Sequence, residues 1–199
     1  MRIRITLLLS FFLLLLGLNP ALAQDVKEPA TGVSFPSKTN ANGRDFTITG
    51  TGVRKKFGFK VYAMASYLET GKLDSSKDIY GQLTSDGASK MIIMHFVRDV
   101  DAGKIKETFE EGIKKNLPNY ESSPAKKDAE TFLNVLTELK NNDKMQLNWY
   151  PGGEVHLSIK GQGKFAFKNS ALASAIWSIW FGRSPIAGDL KTSLVANAK

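Results

Sequence analysis

The chain has 199 residues, a formal net charge of +8 and no cysteine. The lack of cysteine excludes disulfides, thiolate catalysis and lipoprotein acylation. Lys and Arg are interleaved with Asp and Glu, as in KIKETFEEGIKK, so the concentrated basic face of a nucleic-acid-binding protein is not indicated. Hydrophobic residues make up 42% of the chain, which is enough for one domain with its own core.

The N-terminus has the pattern of a secretory signal. Arg2 and Arg4 precede an apolar run, and small residues at Ala21 and Ala23 mark a cleavage site before Gln24. The apolar run has about 14 residues, fewer than the roughly 20 of a membrane span, although an uncleaved anchor is the alternative. We therefore predict a signal peptide over 1–23 and one domain over 24–199, periplasmic or secreted, with no stable membrane insertion after cleavage.

The first half of this domain is predicted to consist mostly of β-strands. Residues 24–45 are polar and rich in turn formers, which predicts a loosely structured segment. Strands are predicted over 46–53 and 57–69, joined by a short basic turn into a hairpin. A short helix is expected around Asp78, and 90–100 is apolar on both faces, as in a central strand.

The second half alternates helices and strands. A helix is predicted from the N-cap Asp101, with a second over 124–140. A β-meander over 145–169 follows, then an apolar helix ending at Gly182 and a short helix after Pro185. This order indicates an α+β fold, with an antiparallel sheet covered on one side by helices.

Common catalytic and cofactor motifs are missing from the sequence. His95 and His156 are the only histidines, and their separation is unlike His-x-x-x-His, so neither a metal site nor a cofactor is predicted. The segment GTGVRK begins like a dinucleotide fingerprint, but its sixth residue is Lys55 and a strand follows. Asp99 and Asp101 are interpreted as strand-end and cap residues.

Three segments together resemble the chalcone isomerase superfamily, in its bacterial exported, chalcone isomerase-like branch. They are GTGVRKKFGFKVYAMASYLE, HFVRDVDAGKIKETFEEGI and SAIWSIWFGRSPIAGDLKTSL, in the order of the family and within roughly residues 45–195. The resemblance implies an open-faced β-sandwich, in which a large antiparallel sheet is covered by helices and a ligand cleft lies between them.

The resemblance also implies two kinds of function. The plant enzymes cyclise chalcones with an arginine and several side chains that form hydrogen bonds, whereas other members hold a fatty-acid carboxylate with the same arginine and a tyrosine. Arg54 matches the arginine, and Tyr62 lies where the enzymes carry threonine. The helix tyrosine and asparagine are missing, with Phe132 near the asparagine's place, and Ile179 takes the place of a hydroxyl residue.

We therefore predict a non-catalytic protein that binds a small hydrophobic ligand, such as a fatty acid or related carboxylate, through Arg54 and Tyr62. The alternative is an isomerase or intramolecular lyase for an enone substrate, in which Arg54 polarises the carbonyl and Tyr62 donates a proton. A third class is a structural or partner-binding protein with a filled cleft.

The chemistry of the residues leaves each assignment open. An arginine in a cleft cannot lose its charge and needs an acceptor, which is either a ligand carboxylate or a main-chain carbonyl or Asp of the protein. Tyr62 either binds the ligand or packs as an ordinary strand tyrosine. Tyr67 falls on the opposite face of the strand. Lys55 and Lys56 are interpreted as solvated turn residues, and Trp177 and Trp180 as core.

Overall fold

The structure is a computed structural model that describes residues 24–198, so the predicted signal peptide lies outside the described residues. Its strands are β1 Asp25–Lys27, β2 Ser34–Pro36, β3 Lys38–Ala41, β4 Arg44–Lys56, β5 Phe59–Glu69, β6 Lys90–Phe96, β7 Lys144–Tyr150, β8 Glu154–Ile159 and β9 Gln162–Lys168. Its helices are α1 Ile79–Thr84, α2 Ala102–Asn116, α3 Lys126–Asn134, α4 Ser170–Phe181 and α5 Gly188–Ser193, with a 3-10 turn at Tyr120–Ser122. Strands β3 to β9 form one antiparallel sheet in chain order.

The main core lies between one face of this sheet and the helices. Side chains alternate along β5, so Tyr62 and Met64 join the core under the helices while Ala63 and Tyr67 join a second cluster on the other face. Helix α4 is buried along most of its length, which accounts for its almost uninterrupted apolar sequence. The predicted α+β class and helix-covered antiparallel sheet are confirmed, as is the placement of Tyr67 opposite Tyr62.

The segment before β4 is ordered, contrary to the prediction of a loose segment over 24–45. Strands β1 and β2 pair with each other, and Phe35 of β2 is buried in the second cluster against the outer face of the sheet. The Tyr67 hydroxyl donates a hydrogen bond to the Pro36 carbonyl at 3.0 Å. These strands contain only isolated apolar residues, so their order comes from contacts with the sheet that no local pattern reports.

Two glycines of β4 allow α5 to pack directly on the sheet. A Cβ at Gly50 would lie 2.3 Å from the Ser193 carbonyl oxygen, and one at Gly52 would lie 2.7 Å from a methyl group of Leu190. The Thr49 hydroxyl adds a hydrogen bond to the Leu194 carbonyl at 2.9 Å. The Gly-x-Gly that precedes Arg54 therefore serves close backbone packing.

Three predicted boundaries are wrong. The helix predicted over 124–140 ends at Asn134, and the strand predicted over 90–100 ends at Phe96. Beyond both ends, Val100 and Leu139 pair as an isolated antiparallel bridge, so the buried apolar residues there belong to extended chain. The β4–β5 hairpin turns at 57–58, so Lys55 and Lys56 lie in β4 instead of in the turn.

Among the helices within residues 24–198, none has the combined length and apolarity of a membrane span.

Candidate functional site

Arg54 and Tyr62 are neighbours across the β4–β5 ladder. They are direct partners in the strand register, and directly opposite residues project from the same face of a sheet. The register shifts between Arg54 and Lys55, which marks a β-bulge beside the pair. Bulges of this kind change the direction of side chains at the end of a ladder. The hairpin thus brings together the two residues that were predicted to bind the ligand.

Both residues line a cavity of about 460 Å³ between the sheet and helices α2 and α4. The inner wall is apolar and largely aromatic. The Tyr62 and Phe96 ring centres are 5.5 Å apart, and the Phe109 ring meets Trp180 edge-on with centres 5.8 Å apart. Met94, Ile105 and Ile179 also belong to this wall. A volume of this size is typical of small-molecule sites.

The Tyr62 hydroxyl is held in place from the helix side. Trp180 Nε1 donates a hydrogen bond to it at 3.0 Å. Burial raises the pKa of Tyr62, and the Trp180 hydrogen bond and the Arg54 charge offset only part of that effect. The hydroxyl is therefore neutral at physiological pH. Among the described residues no acceptor is bonded to its proton, which leaves it available to a ligand in the cavity.

Arg54 is half-exposed and is incompletely paired within residues 24–198. Its guanidinium donates a hydrogen bond to the Lys55 carbonyl, and no carboxylate of the described residues lies within 4.0 Å of it. The main-chain carbonyl that was weighed as a structural partner is thus present, but it takes only one of several N–H groups. The remaining N–H groups are free to bind an anion.

The rim of the cavity is charged. Its carboxylates already have partners, since Asp101 accepts from the Lys104 backbone N–H at 2.9 Å and Asp99 accepts from the Asn141 N–H at 2.8 Å. These bonds match the predicted cap and strand-end roles. The cations at the rim are Arg54, Lys56, Arg98 and Lys104. The rim therefore favours an anionic group on the ligand.

A smaller recess of about 230 Å³ adjoins this rim. It shares Arg54, Lys56 and Thr108 with the main cavity and adds Glu111 and Lys115. Arg54 thus borders both an apolar space and a polar one. Within residues 24–198, this region included, no group of three or more His, Asp or Glu side chains is arranged to hold a metal ion.

The sequence interpretation missed part of the site. Trp180 is buried as expected of a core residue, yet it also lines the cavity and bonds to Tyr62, whereas Trp177 packs on Trp149 with ring centres 5.3 Å apart. Lys56 and Arg98 lie at the rim, although Lys56 was interpreted as a solvated turn residue. A buried indole N–H usually has a partner, but this signal does not single out Trp180, because Trp149 Nε1 and Trp177 Nε1 are buried without a partner among the described residues.

Ile179 and Phe132, which the sequence resemblance sets against polar residues of the enzymes, lie in different places. Ile179, which the sequence resemblance places at the enzymes' hydroxyl position, lines the cavity with an aliphatic side chain. Phe132 is fully buried and packs edge-on against Phe109, with ring centres 5.5 Å apart, outside the cavity lining. The Thr108 hydroxyl in the lining already donates to the Lys104 carbonyl at 2.8 Å.

Fold and site together define an α+β protein with a cavity between an antiparallel sheet and its covering helices. The family model described as chalcone isomerase-like matches residues 27–196, and the chain belongs to this family. The chain shares the fold of a fatty-acid binding protein from Arabidopsis thaliana, whose crystal structure has a TM-score of 0.70. The two are 20% identical, over 88% of this chain and 97% of that one. A comparison with curated proteins gave no match.

Proposed function

We propose that this protein binds a fatty acid or a related hydrophobic carboxylate in the cavity, without catalysis. The observation that carries the proposal is the pairing of Arg54 with Tyr62 at the border of an otherwise apolar cavity. One residue supplies a permanent cation and the other a neutral hydroxyl donor, so a carboxylate between them could accept hydrogen bonds from both.

The energetics of such a complex are favourable at both ends of the ligand. Charge-assisted hydrogen bonds to a carboxylate contribute about 1.5–3 kcal/mol each. Each buried methylene adds about 0.8 kcal/mol before the cost of association is subtracted. An acyl chain against Phe96, Phe109 and Trp180 would need no second polar group.

The same contacts count against an enzyme. Cyclisation requires groups that orient a polar substrate and move a proton, yet Ile179 is aliphatic and Thr108 is bonded to its own helix. Asp99 and Asp101, the carboxylates at the rim, are bonded to backbone N–H groups. The fatty-acid binding named for the Arabidopsis protein, which has the same fold, supports the binding function.

We also propose that the protein belongs to the exported branch of the family and works in the periplasm or outside the cell. The basis is the signal pattern over residues 1–23. N-terminal sequencing of protein made in the source organism should find Gln24 as the first residue. Finding Met1 on protein in the membrane fraction would contradict export.

Ligand identity can be tested directly by native mass spectrometry. Protein purified without detergent should carry acyl carboxylates, which extraction and chromatography would then identify. The Arg54→Ala variant, purified in parallel, should carry much less, whereas Lys164→Ala, on exposed β9 away from the cavity, should match the wild type. Equal amounts of acyl ligand on wild type and Arg54→Ala, or none on either, would contradict the proposal.

A further inference from the structure

The tip of the β4–β5 hairpin exposes two large aromatic side chains. Phe57 in the turn is 90% exposed and Phe59 at the start of β5 is 65% exposed, and they are the large hydrophobic residues exposed in the described part of the chain. A single exposed phenylalanine is unremarkable, but two beside each other on a projecting turn form an apolar patch that water does not favour.

The backbone of this turn makes Phe57 an unusual choice. Within residues 24–198, three two-residue hairpin turns have the same geometry, each with a left-handed first residue followed by a left-handed glycine. The first residues are Asn42 with φ 50°, Phe57 with φ 51° and Lys160 with φ 55°. Asn suits such turns, whereas a bulky ring is disfavoured there. The turn thus carries an aromatic ring at a cost to local stability.

Basic side chains surround the two rings. Lys55 and Lys56 precede the turn and Lys60 follows it, and the Arg98 guanidinium lies 5.3 Å from the Phe59 ring centre. Lys60 also donates a hydrogen bond to the Ala30 carbonyl, which leaves its charge in place.

The nearby carboxylates are bonded to groups other than the cations of the tip. Glu107 pairs with Lys104 at 2.9 Å, Asp99 lies 3.6 Å from Lys140 Nζ, and Asp101 caps its helix. The tip therefore combines exposed aromatic rings with an excess of positive charge.

We infer that this hairpin tip, defined as Phe57 and Phe59 with the adjoining Lys55, Lys56 and Arg98, docks the protein on an anionic lipid bilayer. Aromatic rings bury their apolar surface at the level of the headgroups, and the surrounding cations attract acidic lipids. The docking is peripheral and needs no membrane-spanning element.

Docking would place the cavity mouth on the membrane. Lys56, Phe57, Phe59 and Arg98 belong both to the tip and to the cavity lining. An apolar molecule could then pass between bilayer and cavity without crossing water. Bilayer binding itself requires only the tip and acidic lipid, so it can be tested separately from fatty-acid binding.

Vesicle flotation with delipidated protein tests the inference. The wild type should float with vesicles of phosphatidylcholine mixed with phosphatidylglycerol, and less with phosphatidylcholine alone. Binding should weaken as salt rises, because the Debye length falls from about 10 Å at 0.1 M to about 3 Å at 1 M. The double variant Phe57→Asn/Phe59→Ser should partition about tenfold less or worse.

The variants also separate docking from misfolding. Phe57→Asn alone should raise the Tm by about 2–4 °C while it weakens flotation, because Asn accepts the left-handed turn. Lys55→Gln should weaken flotation mainly at low salt. The control Lys164→Gln/Lys168→Gln removes two exposed charges from β9 and should float like the wild type.

Other outcomes would overturn the inference. Docking would be refuted if the wild type did not bind anionic vesicles, or if the double variant floated as well as the wild type. If the double variant instead lost self-association in the absence of lipid, the tip would be an interface between protein copies. Calorimetric titration with a fatty acid in vesicle-free buffer reports on the cavity alone, so failure of either proposal can be recognised.

Discussion

Replacing Arg54 with alanine should weaken carboxylate binding far more than it destabilises the fold. Arg54 has no carboxylate partner within the described residues, and its hydrogen bond to the protein goes to the carbonyl of the next residue, Lys55. Removing a half-exposed side chain with so few contacts should change the free energy of unfolding by no more than about 0.5 kcal/mol. The fold should therefore remain almost as stable as that of the wild type.

The loss of affinity follows from the hydrogen bonds that the guanidinium can offer. One or two charge-assisted bonds, at about 1.5–3 kcal/mol each, correspond to roughly tenfold to ten-thousandfold in the dissociation constant. Arg54→Lys should recover only part of this, because an ammonium cannot present two parallel N–H groups to a carboxylate. Lys55→Ala, next in sequence and exposed, should change affinity little and mainly at low salt.

Tyr62→Phe should behave differently from both. It removes one neutral donor, so its effect on affinity should be smaller than that of Arg54→Ala. It also leaves Trp180 Nε1 without its acceptor, and a buried unsatisfied donor costs about 1–3 kcal/mol of stability. Unlike Arg54→Ala, this variant should therefore show a clearly lowered Tm.

Isothermal titration of a medium-chain fatty acid, run beside thermal melts of the same samples, measures both quantities. The corresponding fatty alcohol serves as the ligand control, since it keeps the chain and loses the anion. An Arg54→Ala protein that binds the acid as tightly as the wild type would refute a carboxylate-binding role. A lowered Tm with unchanged affinity would make Arg54 a structural residue.

The other predictions concern catalysis, packing and pH. Chalcone cyclisation should not exceed the spontaneous rate in an absorbance assay; flavanone formation that scales with protein and vanishes in Arg54→Ala would restore the isomerase alternative. Gly50→Ala should cost about 1–3 kcal/mol in denaturant titrations, because its Cβ would press on the α5 backbone, whereas Gly163→Ala, with open space around it, should have little effect. Burial lowers the pKa of Lys90 from 10.5 to about 8. Between these values the unfolded chain binds more protons, so this group should make stability rise from pH 8 to 10.5, and Lys90→Met should remove that rise. A wild type and variant with parallel pH profiles would contradict it.

Local patterns in the sequence were sufficient for most of the secondary structure. The helix predicted from the N-cap Asp101 is α2, which Asp101 caps and in which Ile105, Phe109 and Ile113 are buried. Alternation in β5 assigned Tyr62 and Tyr67 to opposite faces, because successive strand side chains point in opposite directions. Arg54 and Tyr62 were found through resemblance to a family, and strand pairing then placed them side by side.

Long-range contacts decided what these patterns could not. Leu136 and Leu139 fall within the helix predicted over 124–140 and are buried, but they lie in chain beyond the end of α3. Burial alone does not specify backbone geometry, and here the pairing of Leu139 with Val100 determined it. Phe35 in β2 is likewise ordered by a face of the sheet that is distant in sequence.

The cavity itself belongs to the tertiary structure. Trp180 and Tyr62 are 118 positions apart, and only the packing of α4 on β5 brings the indole N–H to the hydroxyl. The sequence shows that tryptophan and tyrosine side chains are apolar with one polar group each. It does not show which of these polar groups form a hydrogen bond with each other. Gly50 is a second example. The sequence shows a residue without a side chain, and only the fold shows the reason, which is that the backbone of Ser193 and Leu194 packs directly against it.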